Sequence, residues 1–237
     1  MKKDQFIKMY RDAFGNYELP LAFYYSKEPV SHPIKSRGCY MKDLNRCRKG
    51  ETISYDKDSI GCPGGKVYSG FSEVPPFIPD FVSYKERYKQ QPEQVTQFIK
   101  ALEMLDLSDQ YLNFLPLSKV DNLDEIEGLI FFVTPDVLCG LSSWIFFDRN
   151  ESDTISFPFG SGCSSIISQT VVENKKNGYR SFLGLLDPSV RPHFESNLLS
   201  LAIPMSRFKV ILEHMDQSCI QGTPSWKKIK QRIEDEI

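Results

Sequence analysis

The chain has 237 residues, 41% hydrophobic and 25% charged, with a formal net charge of −2. That balance excludes whole-chain disorder, since the apolar surface is ample to offset ordering entropy, and it lacks the basic excess that nucleic-acid binding calls for. Its longest apolar runs, such as "GLIFFV", fall far short of the roughly 20 residues that span a bilayer, and the start of the chain is amphipathic rather than an apolar leader.

In chain order, residues 4–13 predict a short helix, with Phe6, Met9 and Tyr10 on one side. Residues 19–25, "LPLAFYY", predict a strand, and residues 39–48 a second helix that closes on basic residues and a glycine. Three prolines within residues 72–80 demand a loop or extended arm, the one candidate hinge. "DFVSYKERYKQ" and "PEQVTQFIKALEML" then predict two helices, with Pro92 opening the second. "NFLPLS" and "IEGLIFFVT" predict strands, and Thr134 with Pro135 opens the helix "PDVLCGLSSWIFF". "DTISFPF", "YRSFLGLLD" and "LLSLAIP" predict further strands, "GSGCSSIISQTVV" a glycine-rich turn into a short helix, and residues 205–215 and 225–233 closing helices. This pattern predicts an α+β (mixed α/β) fold: a single domain over residues 1–237, with a mixed sheet flanked by helices. A soluble cytoplasmic protein is expected, with no nucleic-acid or membrane partner. Its six cysteines then stay reduced, as buried hydrophobes, ligands or reactive groups.

Three of those cysteines follow glycines at turns or helix starts. Cys62 stands in "SIGCPGGKVYSGF", between Gly61 and Pro63, with Gly64 and Gly65 next. The proline suits the first position of a helix, and the glycines permit close backbone approach. A thiol there is either a buried filler at a tight turn or a thiolate favoured by free N–H groups that also suit an anion. Cys163 in "GSGCSSII" and Cys39 in "SRGCY" repeat the arrangement. "GSGCSS" is neither a Walker A loop nor a dinucleotide fingerprint. The gaps between positions 39, 62 and 163 fit no compact zinc-finger or ferredoxin spacing, so a shared site requires tertiary convergence. Cys47 reads as packing, Cys139 as core and Cys219 as incidental.

The three histidines lack a helical partner four residues away, so a histidine metal site is not expected, although a pairing of a cysteine with His193 is geometrically open. In "LGLLDPSVRP", Asp187 and Arg191 either pair across a turn or leave Arg191 free to bind an anion, and Arg37 has the same ambiguity. Tyr84 and Tyr88 share a helical face of the kind more often found in a core or an interface.

"RGCYMKDLNRCRKGETI", "DSIGCPGGKVYSGF", "FFVTPDVL", "DTISFPFGSGCSS" and "GLLDPSVRP" occur in this order. The set resembles a prokaryotic cysteine-containing family, domain of unknown function 169, over residues 17–210. The resemblance implies a single cytoplasmic domain, found mainly in anaerobe-type prokaryotes, with a cysteine-centred site at Cys39, Cys62 and Cys163 and with Arg191 as the family arginine. Many members of the family carry a further cysteine before that arginine, where this chain reads "LGLLDPS".

The leading expectation is that Cys39, Cys62 and Cys163 converge on an iron–sulfur cluster or a single metal ion, with a fourth position open to Asp187, water or substrate. A second is a metal-free thiol enzyme or small-anion-binding protein using Cys62 or Cys163, with Gly64, Gly65, Arg191 and Arg37 holding the anion. A third is an assembly protein whose glycine turns only shape the fold. A small molecule or a redox partner would accompany either of the first two.

Overall fold

Alternation along the strands of the computed structural model divides the apolar residues between two cores, one on each face of a sheet. The structure describes residues 3–104, 106–108 and 110–236. Its strands are β1 (Leu21–Ser26), β2 (Ile53–Tyr55), β3 (Tyr111–Pro116), β4 (Gly128–Val133), β5 (Ile155–Ser156), β6 (Ser181–Gly184) and β7 (Leu199–Pro204). They form a seven-stranded sheet in the order β2-β3-β1-β4-β7-β6-β5. Neighbours pair antiparallel, apart from the parallel β5–β6 pair at one edge. The fold is therefore α+β with a mixed sheet, as expected. The fully buried β4 shows the division: Ile130 and Phe132 face one core, and Leu129, Phe131 and Val133 the other.

The helices are α1 (Lys3–Phe14), α2 (Leu44–Arg48), α3 (Pro63–Tyr68), α4 (Ile78–Asp80), α5 (Pro92–Ala101), α6 (Pro135–Ile145), α7 (Gln169–Lys175), α8 (Met205–Leu212) and α9 (Pro224–Glu236). One face is covered by α1, α6, α8 and α9, whose Phe6, Trp144, Phe208 and Trp226 form an aromatic core. Arg207 is buried within this layer. Its guanidinium donates to the Asp148 carboxylate at 2.8 and 2.5 Å and to the Ile145 carbonyl at 2.7 Å, which satisfies a charge that would otherwise be costly to desolvate. The opposite face carries α5 together with the short α2, α3 and α7, none longer than 7 residues.

Several elements depart from expectation on that second face. Residues 39–48 divide into a 3-10 turn (Tyr40–Asp43) and α2. The proline-rich arm runs into α4 and then a π-helical turn (Phe81–Lys85), where a regular helix was expected. "DTISFPF" keeps only the two residues of β5, and a second π-helical turn (Ser164–Ser168) precedes α7. Thr134 has the extended backbone of an N-cap, but its hydroxyl makes no capping bond. Cys139, expected in the core, is exposed on α6.

Gly140 is where α6 meets the C-terminal helix. A Cβ there would lie 2.2 Å from Trp226 Cη2 and 2.8 Å from Phe14 Cε1. Gly140→Ala is expected to lose about 1–3 kcal/mol in urea unfolding, because overpacking exceeds the gain in helix propensity of up to about 1 kcal/mol. An unchanged or raised midpoint would show that α9 can shift outward without cost.

Candidate functional site

The site begins with a backbone junction. Ser36 forms a parallel bridge with Ile60, in which the Ser36 N–H donates to Ser59 O at 2.9 Å and the Gly61 N–H donates to Ser36 O at 3.1 Å. Only glycine permits this approach at position 61, where a Cβ would stand 2.7 Å from the Ser36 carbonyl oxygen. Asp43 secures the next turn by accepting from the Ser36 and Tyr55 hydroxyls, each at 2.8 Å. Two segments distant in sequence are thereby fused, and both deliver a cysteine: Cys39 just after one strand of the bridge, Cys62 just after the other.

Cys62 is the N-cap of α3. Pro63 takes the first helical position, and the Cys62 sulfur accepts the Gly65 N–H at 3.4 Å. Gly65 is buried against the Tyr40 ring, 3.1 Å from where its Cβ would be, and the Tyr40 hydroxyl bonds Ser69 Oγ at 2.9 Å. Gly64 differs. A Cβ there meets nothing nearer than 3.9 Å, so this glycine faces open space.

Cys163 arrives from the other half of the chain. Ser168, at the end of the π-helical turn, donates to the Tyr68 carbonyl at the end of α3, which brings the two helical segments together. Gly184 of β6 leaves room for Ile166, whose Cγ2 would lie 2.3 Å from a Cβ at that position. Cys163 itself is buried, with Ser161 Oγ 3.3 Å from its sulfur. Beside it lies Asp187, 1% exposed, whose Oδ2 approaches within 3.6 Å of where a Gly162 Cβ would stand. Its Oδ1 accepts from Ser189 Oγ and from the Val190 N–H at 3.2 Å. Oδ2 has no hydrogen-bond partner.

These segments enclose a cavity of about 460 Å3. Cys39, Cys62 and Cys163 all line it, as do Gly64 and Gly65. The remaining wall was not anticipated: Phe77, Ile78, Phe81 and Val82 of the proline-rich arm, Val95 and Phe98 of α5, and Phe159. Phe77, Phe81 and Phe159 are exposed at its rim. The few polar side chains besides the thiols are Tyr68, Glu86, Tyr88, Lys89, Ser161 and Ser189. The helical-face reading of Tyr84 and Tyr88 reaches only Tyr88 of this lining, and the phenylalanines of the wall lie outside it.

Burial dominates the thiol chemistry. It pushes the Cys39 thiol up to about 11, and the nearby Cys62 and Asp187 charges act in the same direction against the Met41 and Lys42 amides. Cys163 is raised well above an ordinary thiol, first by burial and then by Cys39, Cys62 and Asp187. The expectation of a thiolate favoured by a helix start is therefore corrected for Cys39 and Cys163, because desolvation outweighs the few N–H groups present. Cys47 is buried and pushed up to about 12, despite its arginine neighbours. Among the described residues no three of His, Cys, Asp and Glu are gathered so as to hold one metal ion.

The arginines lie elsewhere. Arg191 makes no ion pair with Asp187. Its guanidinium donates to the Ser196 carbonyl at 2.8 Å, to Glu195 O at 3.3 Å, to Leu185 O at 3.4 Å and to Leu198 O. It is a staple for its loop, with both terminal nitrogens committed to carbonyls. Arg37 is exposed and outside the cavity lining, and His193 lines a separate hollow with Arg48 and Glu195.

The structure thus defines an α+β protein with a cysteine-lined apolar cavity on one face of its sheet. The chain matches the model of domain of unknown function 169, described as "Uncharacterised ArCR", over residues 11–214, and it belongs to that family. No curated protein and no solved structure matches it.

The raised thiols make a measurable prediction. In a Cys139→Ser/Cys219→Ser background, which removes two exposed thiols, Cys39 is expected to alkylate about a hundredfold more slowly at neutral pH than an ordinary thiol. That factor follows from its shift from 9.0 to about 11. Because the folded-state pKa is the higher one, the associated stability is intact below about pH 9 and is lost as pH rises towards 11. Urea midpoints should fall across that window, and less steeply in Cys39→Ser. An alkylation rate that levels off near pH 9 would contradict the burial argument.

Proposed function

We propose that this protein binds a small, predominantly apolar molecule in the cavity, with the thiols of Cys39, Cys62 and Cys163 along its wall. The observation that carries this reading is the cavity itself. Its volume of about 460 Å3 lies in the range of small-molecule sites, and an apolar lining with a few convergent polar groups is the usual composition of such sites. Three cysteines from separate parts of the chain share it with exposed aromatic residues at the rim, which supports a ligand that enters apolar end first. Cys62 caps α3 with its sulfur accepting the Gly65 N–H, and it is the thiol assigned to contact or attack an electrophilic ligand.

Gly64 provides the test, because a side chain there has room to project without clashing. Gly64→Leu is expected to leave the melting temperature within a few degrees of wild type and to abolish binding of a neutral apolar dye, read by fluorescence. Dye binding that survives unchanged would place the ligand site elsewhere.

A second reading is favoured by Asp187. Its unpartnered Oδ2, with Cys39, Cys62 and Cys163 each raised or raising a neighbour by charge, forms a group of would-be anions that a cationic centre would relieve. An iron–sulfur cluster held by the three cysteines, with Asp187 in place of a fourth, fits that donor set better than one metal ion does. Protein purified without oxygen and reconstituted with iron and sulfide would then hold stoichiometric iron, lost in Cys62→Ser and weakened in Asp187→Ala. Iron-free protein after reconstitution would remove this reading and leave the first intact.

A further inference from the structure

Resting on the cavity reading, we infer that the ligand carries a carboxylate at one end of its apolar body and that Lys89 receives it. Lys89 lines the cavity and is half-buried. Its ammonium stands 5.6 Å from the centroid of Phe159 and 6.0 Å from that of Phe98, both of which line the same cavity. Two ring faces attract a cation but leave its charge uncompensated. No carboxylate of the described residues pairs with it, whereas Lys175, Lys176, Lys209 and Lys230 each have an acidic partner. Glu86, the acidic residue of the same rim, lies against the Tyr88 phenol instead.

A cation held beside an apolar chamber is attractive to an anion for a physical reason. Phe98 and Phe159 cover part of the ammonium, so its field is screened less than that of a fully exposed cation. A purely neutral ligand would leave that charge partly desolvated and unanswered. A carboxylate on an apolar chain would satisfy it while the chain fills the space towards Gly64 and Cys62. Arg191 and Arg37, the cations expected for this role, are outside the cavity, so Lys89 takes their place.

Calorimetric titration with octanoate and with octanol separates charge from apolar fit. Wild type is expected to bind octanoate at least tenfold more tightly than octanol, a preference that shrinks with added salt. Lys89→Met should erase the preference while keeping octanol affinity, which serves as the internal control for folding. Equal affinities in wild type, or a preference that survives Lys89→Met, would overturn the inference. If octanol binds in a Gly64-dependent manner and octanoate binds no better, the assignment of Lys89 fails and the cavity reading stands. If neither ligand binds, both fail.

Discussion

The short bridge between Ser36 and Ile60 is the constraint on which the site depends. It joins two loops across 23 sequence positions between Cys39 and Cys62, using main-chain bonds that Gly61 alone leaves room to form. Behind it, a polar cluster anchors the incoming strand. Asn113 on β3 donates to Ser26 Oγ at 2.8 Å, and its Oδ1 accepts from Ser54 Oγ at 2.7 Å and from the Val30 N–H at 3.0 Å. Buried and satisfied, these groups set the register of β2, β3 and β1 at little net cost. The cysteine wall is therefore positioned by hydrogen bonds as well as by its packing against the core.

That construction bears on why the Cys39 and Cys163 thiols are raised above an ordinary thiol. The main-chain N–H groups that act on the cysteine sulfurs are those of Met41 and Lys42 at Cys39 and that of Gly65 at Cys62. Few are thus at hand to stabilise a sulfur anion, and the apolar arm covering the site removes water that would otherwise do so. Asymmetry among three similar cysteines thus follows from how each turn spends its donors. Asp187 completes the picture: Oδ1 is used within its own loop and Oδ2 faces Gly162 without a partner.

Most of the regular elements were legible in the sequence, because strands such as "GLIFFV" and the proline-opened helices at Pro92 and Pro135 carry strong local signals. The motif of Cys62 was legible too, since proline and glycine restrict the backbone directly. The two π-helical turns were not, because their extra residue is a response to packing, as of Ile166 against Gly184, that leaves no local mark. Arg191 misled for a similar reason: a guanidinium at the end of a strand looks free until the carbonyls that surround it are known. Lys89 and the aromatic wall depend wholly on how the arm folds back, which periodicity cannot express.

The two faces of the sheet divide the work of the molecule. On one, regular helices pack large aromatic residues into a continuous core, and even Arg207 is bound into that layer. On the other, short helices, π-helical turns and glycines leave a chamber. Regular helices of full length laid across that face would close the space, since close packing is the default for apolar side chains. Irregular backbone is thus the means by which an apolar core is kept open at one place. Leu185 shows what holding such a loop requires: it is buried at φ 61, a conformation that costs an L-residue on the order of 1–3 kcal/mol. It stands two residues before Asp187, on the same loop that the Arg191 guanidinium fastens through four carbonyls. Strain and staple occur together where the chain must be kept from collapsing into the cavity.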